Sequence, residues 1–419
     1  MGRTVIIGAG AAGMAAAISA ARQGQSVTVL ERNEKTLKKL GVTGNGRGNL
    51  LNAGPPLYYG GADFAAQVLK RIPYSALAAF WEEVGVPLRL EENRVYPAAL
   101  QAAVAVDALR LEARRLGAQV CARTRVLGLT LREDAFWLEA EEGIPAAAKG
   151  RKPPMQEVLR RKYRADRVIV AAGGAAAPAH GTDGSAYGLL TAFGHHLTPL
   201  RPALCALLTE KKPIQGLFGQ RVRAKLSLRA KEGDLLHETR GEALFTQDGV
   251  SGIAAMQLAR WVAPGCILHM DLRDELNRAD ISLGELRGFL QALCRRREEL
   301  PLHELLTGML MPQVSRAVLA AAGYPDGNRL IRSLPGKALD AIAQALMDFP
   351  LAVEGFRGFD SAQVTAGGVC TEEFDPSTME SRLQKGLYAA GEILDVDGDC
   401  GGFNLMFAFA SGLLAGGGF

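Results

Sequence analysis

Val5-Ile-Ile-Gly8-Ala-Gly10-Ala-Ala-Gly13 opens a run that ends at Glu31, and from this run the architecture follows. Residues 5–7 read as a short buried strand, 11–23 as a helix, and 27–30 as a second strand with Glu31 at its tip. Each glycine has a mechanical reason: Gly8 for a tight turn, Gly10 for close approach of a pyrophosphate, Gly13 for close helix–strand packing. The helix N-terminus offers unpaired N–H groups and the positive end of a dipole to phosphate. Glu31 stands about twenty residues beyond the glycines, where a carboxylate accepts hydrogen bonds from a ribose diol. Strand, turn, helix, strand and acid in register predict a dinucleotide site.

The opening run does not read as a secretory signal. Glycines interrupt it, and its removal would delete the first strand. No stretch approaches roughly eighteen uninterrupted apolar residues, so no membrane span is expected. Six cysteines, Cys121, Cys205, Cys266, Cys294, Cys370 and Cys400, show no CxxC spacing. Reduced thiols in a cytoplasmic protein are the expectation. The net charge of +4 in 419 residues does not by itself point to nucleic acid.

To about residue 192 the pattern alternates strands and helices. Residues 74–84 and 101–116 have helical periodicity, whereas 119–131 and 136–140 read as strands with turns between. Residues 143–164, Pro-rich and basic, read as a solvated hairpin loop rather than an RNA-binding strip. Residues 203–247 alternate apolar and charged, as a sheet with one wet face does. Residues 282–348 read as helical, with connectors around Pro301 and Pro325-Asp-Gly327. The expected division is 1–192 and 359–419 as the nucleotide-binding domain, 193–275 and 335–358 as an inserted β-rich domain, and 276–334 as a helical subdomain.

Two later segments narrow the dinucleotide to FAD. Arg167-Val-Ile-Val-Ala-Ala-Gly173-Gly174 is an apolar strand running into a polar loop through Pro178, His180, Gly181 and Asp183. Gly391-Glu392-Ile-Leu-Asp395-Val-Asp397-Gly398-Asp399-Cys400-Gly401-Gly402-Phe403-Asn404 leads into an apolar helix. A helix starting near Gly402 would aim its positive end at a bound ring, which a reduced flavin needs because it carries negative charge. Between these segments, Arg47 amid glycines offers a guanidinium to phosphate, and Asn49 and Asn52 can bond ribityl or flavin edges.

Lys38-Lys39-Leu40-Gly41-Val42-Thr43-Gly44-Asn45-Gly46-Arg47-Gly48-Asn49-Leu50-Leu51-Asn52 resembles the K-x-L-x-T-G-x-G-R-C-N-x-T-N signature of one flavoprotein family. These are the BaiN/RdsA-type (YhiN-like) NAD(P)/FAD-dependent oxidoreductases, which include an aminoacetone oxidase and a bile-acid reductase. Gly241-Glu-Ala-Leu-Phe-Thr246 with Gly249-Val-Ser-Gly252, Val364-Thr-Ala-Gly-Gly-Val369, Thr378-Met-Glu-Ser381 and the 391–402 motif match as well. The resemblance implies a Rossmann-like α/β domain binding FAD, with an inserted β-barrel-like domain that itself carries a helical one. Two departures stand out. Gly48 replaces a cysteine that the family often has, and Phe403 and Met406-Phe407 replace Tyr and Gln-Trp.

Together the residues and the resemblance assign to the cofactor Gly8, Ala9, Gly10, Ala11, Ala12, Gly13, Glu31 and Arg32 near the first turn. Lys39, Gly46, Arg47, Asn49 and Val126 follow, then Ala172, Gly173 and Gly174. Gly391, Glu392, Asp397, Gly402, Phe403, Asn404 and Leu405 complete the set, with Asp395 also read as a cofactor contact rather than a proton donor. His195-His196 is expected to cap a helix or lie at the surface, while His180 reads equally as a loop hydrogen bond or an active-site group. Cys370 and Cys400 read as small buried fillers, and no metal site is expected.

The expected chemistry is hydride transfer through FAD to a small organic substrate lying between the flavin and the inserted domain. No general acid or base stands out. With no second fingerprint, NAD(P)H is expected to bind transiently over the flavin or not at all. An oxygen-dependent amine oxidase is the alternative enzyme. A flavin-binding protein acting on RNA through residues 151–164 and Arg295-Arg-Arg297 is the alternative from another class.

Overall fold

The computed structural model describes residues 2–143 and 158–418. The chain divides into two compact units, Met1–Arg201 with Gln363–Phe419, and Pro202–Ala362. Among the described residues no helix is long and apolar enough to cross a membrane.

The first unit is built on a five-stranded parallel sheet. Its strand order is Leu387–Ala389, Arg167–Val170, Arg3–Ile7, Ser26–Leu30, Gln119–Cys121. The strands are apolar runs because both faces of a parallel sheet are covered. Ala11–Arg22 follows the first strand and is buried from Ala12 to Ala20, with Met14 and Ile18 as its large core side chains and alanines where a neighbouring element packs close. A Cβ at Gly13 would run into the carbonyl oxygen of Gly8 and lie 3.5 Å from the Ala171 side chain. On its other side packs the C-terminal helix, Phe403–Gly416. Gly412 sits against the Ala12 carbonyl, and a Cβ at Gly416 would stand 2.5 Å from that of Ala16. Residues four apart share a helix face, so these two pairs form one seam of near-backbone contact. Ser19 Oγ, 2.9 Å from the Leu413 carbonyl and 2.7 Å from that of Gly418, fixes the end of the seam. The two ends of the chain thus build one core.

A three-stranded antiparallel sheet, Thr124–Arg132, Ala135–Gly143 and Val158–Ala165, belongs to the same unit. Here the expectation of a loop over 143–164 needs correction for Gly143 and for 158–164, which are strand; residues 144–157 lie outside the described residues. Two basic residues of that strand pair with acids on its neighbour, Lys162 with Glu139 directly opposite at 3.7 Å and Arg161 diagonally with Glu142 at 2.8 Å. Opposite charges directly across a strand pair support pairing, so a charged run here is a strand.

The second unit contains a closed barrel of Leu207–Thr209, Gly249–Ser251, Leu235–Phe245, Arg221–Arg229, Ile267–Asp271 and Phe349–Phe356. Along Arg221–Arg229 alternate residues Val222, Ala224, Leu226 and Leu228 are buried while Arg221 and Arg223 are exposed. That is the alternation a small filled barrel requires. Helices Leu283–Arg296, Pro312–Ala321 and Ala338–Met347 follow the predicted helical stretch, the first started by a capping box of Ser282 and Glu285.

Candidate functional site

The first strand ends in a cleft lined by Gly8, Glu31, Arg32, Val126, Ala172, Gly173 and Asp183. It lies at the C-terminal ends of parallel strands, where open α/β sheets bind ligands. Glu31 is almost fully buried, and its carboxylate is held in place. Ala9 N–H donates to Oε2 at 2.8 Å, while Asn33 donates to Oε1 from its backbone at 2.8 Å and its side chain at 2.7 Å. A carboxylate has about four acceptor positions, so one stays open for a hydroxyl. Arg32 pairs with Asp183 at 2.6 Å. Burial works against the Asp183 charge, but hydrogen bonds from Arg32 and Ser185 outweigh it and hold the carboxyl at about 2. A Cβ at Gly10 would meet nothing within 4 Å, so the backbone there is open to approach.

Behind Ala11 and Ala12, Gly391 closes on the first helix, its Cβ position 2.8 Å from the Ala12 methyl. Glu392 does not point out free. It pairs with Lys39 at 2.6 Å and accepts the Thr365 N–H at 2.9 Å, while Thr365 Oγ1 takes the Ala175 and Ala176 N–H groups beside Gly174. Tyr187, buried nearby, has a hydroxyl with no hydrogen-bond partner. Burial, with Glu392 and Asp395 in support, keeps that phenol protonated.

The C-terminal loop places its residues less as expected. Asp397 is buried in a short strand, Val396–Gly398, paired with Tyr58–Gly60. Asn404, read as a cofactor contact, folds its amide back on its own loop: Gly398 N–H donates to Oδ1 at 2.8 Å and Nδ2 donates to the Gly398 carbonyl at 2.8 Å. Phe403 is buried edge-on to Tyr58, whose hydroxyl donates to the Phe403 carbonyl, and Leu405 packs half-buried on the core. Asn52 donates to the Gly401 carbonyl at 2.8 Å and so staples the loop. Arg47, expected to offer its guanidinium to phosphate, is engaged by Glu91 at 2.5 Å and lies over the Tyr96 ring. Gly46 beside it is exposed. Asn49 is different. It is 7% exposed, and its Oδ1 has no hydrogen-bond partner. That oxygen lies 2.9 Å from where a Cβ at Gly402 would be, at the start of a helix with no side-chain cap.

His195 is not a surface or capping residue. It is 3% exposed and stacked on Phe374, with Nδ1 2.8 Å from Glu373 and Nε2 2.8 Å from Ser381. An ionised Glu373 only accepts, so Nδ1–H donates to it and Nε2 accepts from the serine. Burial lowers the imidazole pKa, with Glu373 opposing. The exposed His196 shares the same carboxylate at 2.6 Å. His180 ends a short turn, Pro178–His180. Cys370 and Cys400 are free thiols, each pushed up by burial. Asn33 and Tyr187 were not singled out by the sequence; Asn33 carried a faint signal, standing two residues past Glu31.

These groups can be tested against FAD. One open acceptor position on Glu31 matches a ribose hydroxyl, and the open backbone at Gly10 matches a diphosphate. An orphaned acceptor beside an uncapped helix end matches the N–H and oxygen of a ring imide. A buried acceptor left unpaired costs roughly 1–3 kcal/mol, which a ligand donor at Asn49 would recover. The donor and acceptor set fits the cofactor.

The HI0933-like protein Rossmann domain matches residues 2–418. The chain is 35% identical to a 3-dehydro-bile acid delta(4,6)-reductase of Clostridium scindens, covering 99% of this chain and 98% of that protein. It is 26% identical to the ribosomal RNA dihydrouridine synthases of Escherichia coli and Haemophilus influenzae, covering 97% of this chain and 95% and 96% of those proteins. The chain therefore belongs to the HI0933-like family, and it is an FAD-dependent oxidoreductase.

Proposed function

We propose that this protein reduces an alkene conjugated to a ketone on an apolar polycyclic acid of the bile-acid kind, drawing electrons from NAD(P)H. The observation that carries this reading is the 35% identity to a 3-dehydro-bile acid reductase over 99% of the chain. Bound FAD would supply two-electron transfer between the nicotinamide and the alkene. The chain's own residues bind and orient. Glu31 takes a ribose hydroxyl at its open position, and Ala9 and Asn33 fix the carboxylate for it. The N–H groups that start the first helix, with the open backbone at Gly10, take phosphate. Asn49 Oδ1 would hold the cofactor ring by accepting an N–H, and the first N–H groups of Phe403–Gly416 would favour negative charge on it. NAD(P)H, with no second fingerprint to hold it, visits and leaves.

A second reading, reduction of a uridine in RNA, has the 26% relatives behind it. The basic residues expected to serve it are partly occupied. Arg161 and Lys162 pair across their hairpin, and Arg297 donates to the carbonyls of Glu304, Leu305 and Thr307. One experiment separates the readings. The yellow protein is bleached anaerobically with NADH or NADPH, then mixed with a 3-oxo-4,6-diene bile acid, with ribosomal RNA fragments, or with air. Rapid bleaching and recolouring on the bile acid is expected. Recolouring on RNA alone moves the protein to the second reading. No bleaching by either nicotinamide, with colour lost to aminoacetone and regained in air, makes it an oxidase.

A further inference from the structure

Arg94 opens the strand Arg94–Pro97 and stands in register with Asn52 on one side and Glu91 on the other. The residue is half-buried, yet among the described residues no ion pair or hydrogen bond engages its guanidinium. The nearby acids are occupied. Glu91 serves Arg47 at 2.5 Å and Arg89 at 3.2 Å, and Asp399 accepts the Tyr59 hydroxyl at 2.9 Å. The Arg94 side chain lies against the loop before the C-terminal helix: a Cβ at Gly401 would stand 3.9 Å from Arg94 Nε and 3.1 Å from Asn52 Nδ2. One residue further on, Gly402 starts the helix beside the orphaned Asn49 Oδ1. A half-buried cation with no counter-charge in contact is free to meet an arriving anion.

Acceptor, cation and helix end thus meet at one loop. Their pattern suits a cyclic imide whose oxygen gains negative charge: Asn49 takes the N–H, and the cation and helix end take the oxygen. We propose that Arg94 is the side chain that stabilises negative charge on the reduced flavin ring, and so raises the cofactor's reduction potential. The inference rests on the FAD reading above and goes beyond it by assigning the charge to one residue. Arg94 acts by charge, not by proton transfer, since a guanidinium does not give up its proton in a protein.

The test uses the FAD-loaded full chain and two readouts that need no turnover. One is the midpoint potential. The other is the affinity for sulfite, whose lone pair adds to the oxidised ring and leaves it anionic. Arg94→Gln is expected to keep FAD bound, weaken sulfite binding about tenfold, and lower the potential by about 30 mV, the two-electron equivalent of tenfold. Arg94→Lys should stay within about threefold of wild type, and Arg89→Gln, a change on the same hairpin at an exposed arginine, should match wild type. Unchanged potential and sulfite affinity in Arg94→Gln overturn the proposal, and a raised KM with unchanged potential would give Arg94 to a substrate anion instead. Loss of FAD from both Arg94 variants overturns it too, because the guanidinium would then be holding the hairpin. A wild-type protein that never takes up FAD sinks the underlying reading, a result no Arg94 variant can mimic.

Discussion

Between the turn after the first strand and the loop before the last helix, the difference lies in how the polar groups are satisfied. At the turn, Glu31 receives three N–H donors from Ala9 and Asn33, and Gly8 and Gly13 let backbone meet backbone. Nearly everything there is closed by the chain itself. At the loop, Asn404 and Asn52 close the backbone, but Asn49 keeps an unpaired buried oxygen and Arg94 an unpaired charge. The first region is a template set by sterics. The second is left incomplete in a way that a ligand completes. Steric substitutions at the turn should therefore act on folding, and those that alter an unfilled polar position, on Glu31 or in the loop, on ligand.

The largest effect is expected from Gly13→Val. Its side chain would collide with the Gly8 carbonyl, a backbone atom that cannot step aside without moving the first strand. Overpacking of this kind costs about 3 kcal/mol or more, read as a lower denaturant midpoint whether or not FAD is present. A wild-type midpoint would show that the turn is not a steric template.

Next comes Glu31→Gln. The amide oxygen can still take the Ala9 N–H, but its NH2 then faces the two donors of Asn33. Losing a charged acceptor and opposing donor to donor costs roughly 1.5–3 kcal/mol, which is about a 10- to 100-fold rise in the FAD dissociation constant if it falls on binding. Titration of the stripped protein with FAD, followed by flavin fluorescence, measures it. An unchanged constant would mean that the position left open on Glu31 meets no hydroxyl.

How legible these regions are in sequence follows from the same contrast. The Rossmann fold is readable because its cue is steric: only glycine tolerates the approach of Gly13 to Gly8, and only small residues fill the seam of Ala12, Ala16, Gly412 and Gly416. The strand at 158–164 is not, because its stabilising acids, Glu139 and Glu142, lie on another strand and the run alone looks like a wet loop. His195 hides for a similar reason, with partners at Glu373 and Ser381 far along the chain. Arg47 and Asn404 have the right chemistry for a cofactor, and their partners in the chain, Glu91 and Gly398, are not visible from the local sequence. Arg94 shows the converse. Its signal is the absence of a partner, and an absence has no sequence pattern.

The smallest and most discriminating effect belongs to Asn49→Leu, because its sign should differ between the two states of the protein. Leucine keeps the branched outline of asparagine, with two methyl groups in place of the amide oxygen and nitrogen, and removes an acceptor that the chain leaves unpaired. Without FAD, that removal takes away a desolvated, unsatisfied group, so stability should stay level or rise by up to about 1 kcal/mol. With FAD, the variant forgoes one neutral hydrogen bond, worth about 1 kcal/mol, and affinity should fall about five- to tenfold. Denaturant midpoints with and without the cofactor therefore move apart relative to wild type. If both fall together, Asn49 is a structural residue whose partner the loop supplies, and the distinction between a closed turn and an incomplete loop collapses. A rise without FAD and a fall with it can come only from a group held in reserve for a ligand.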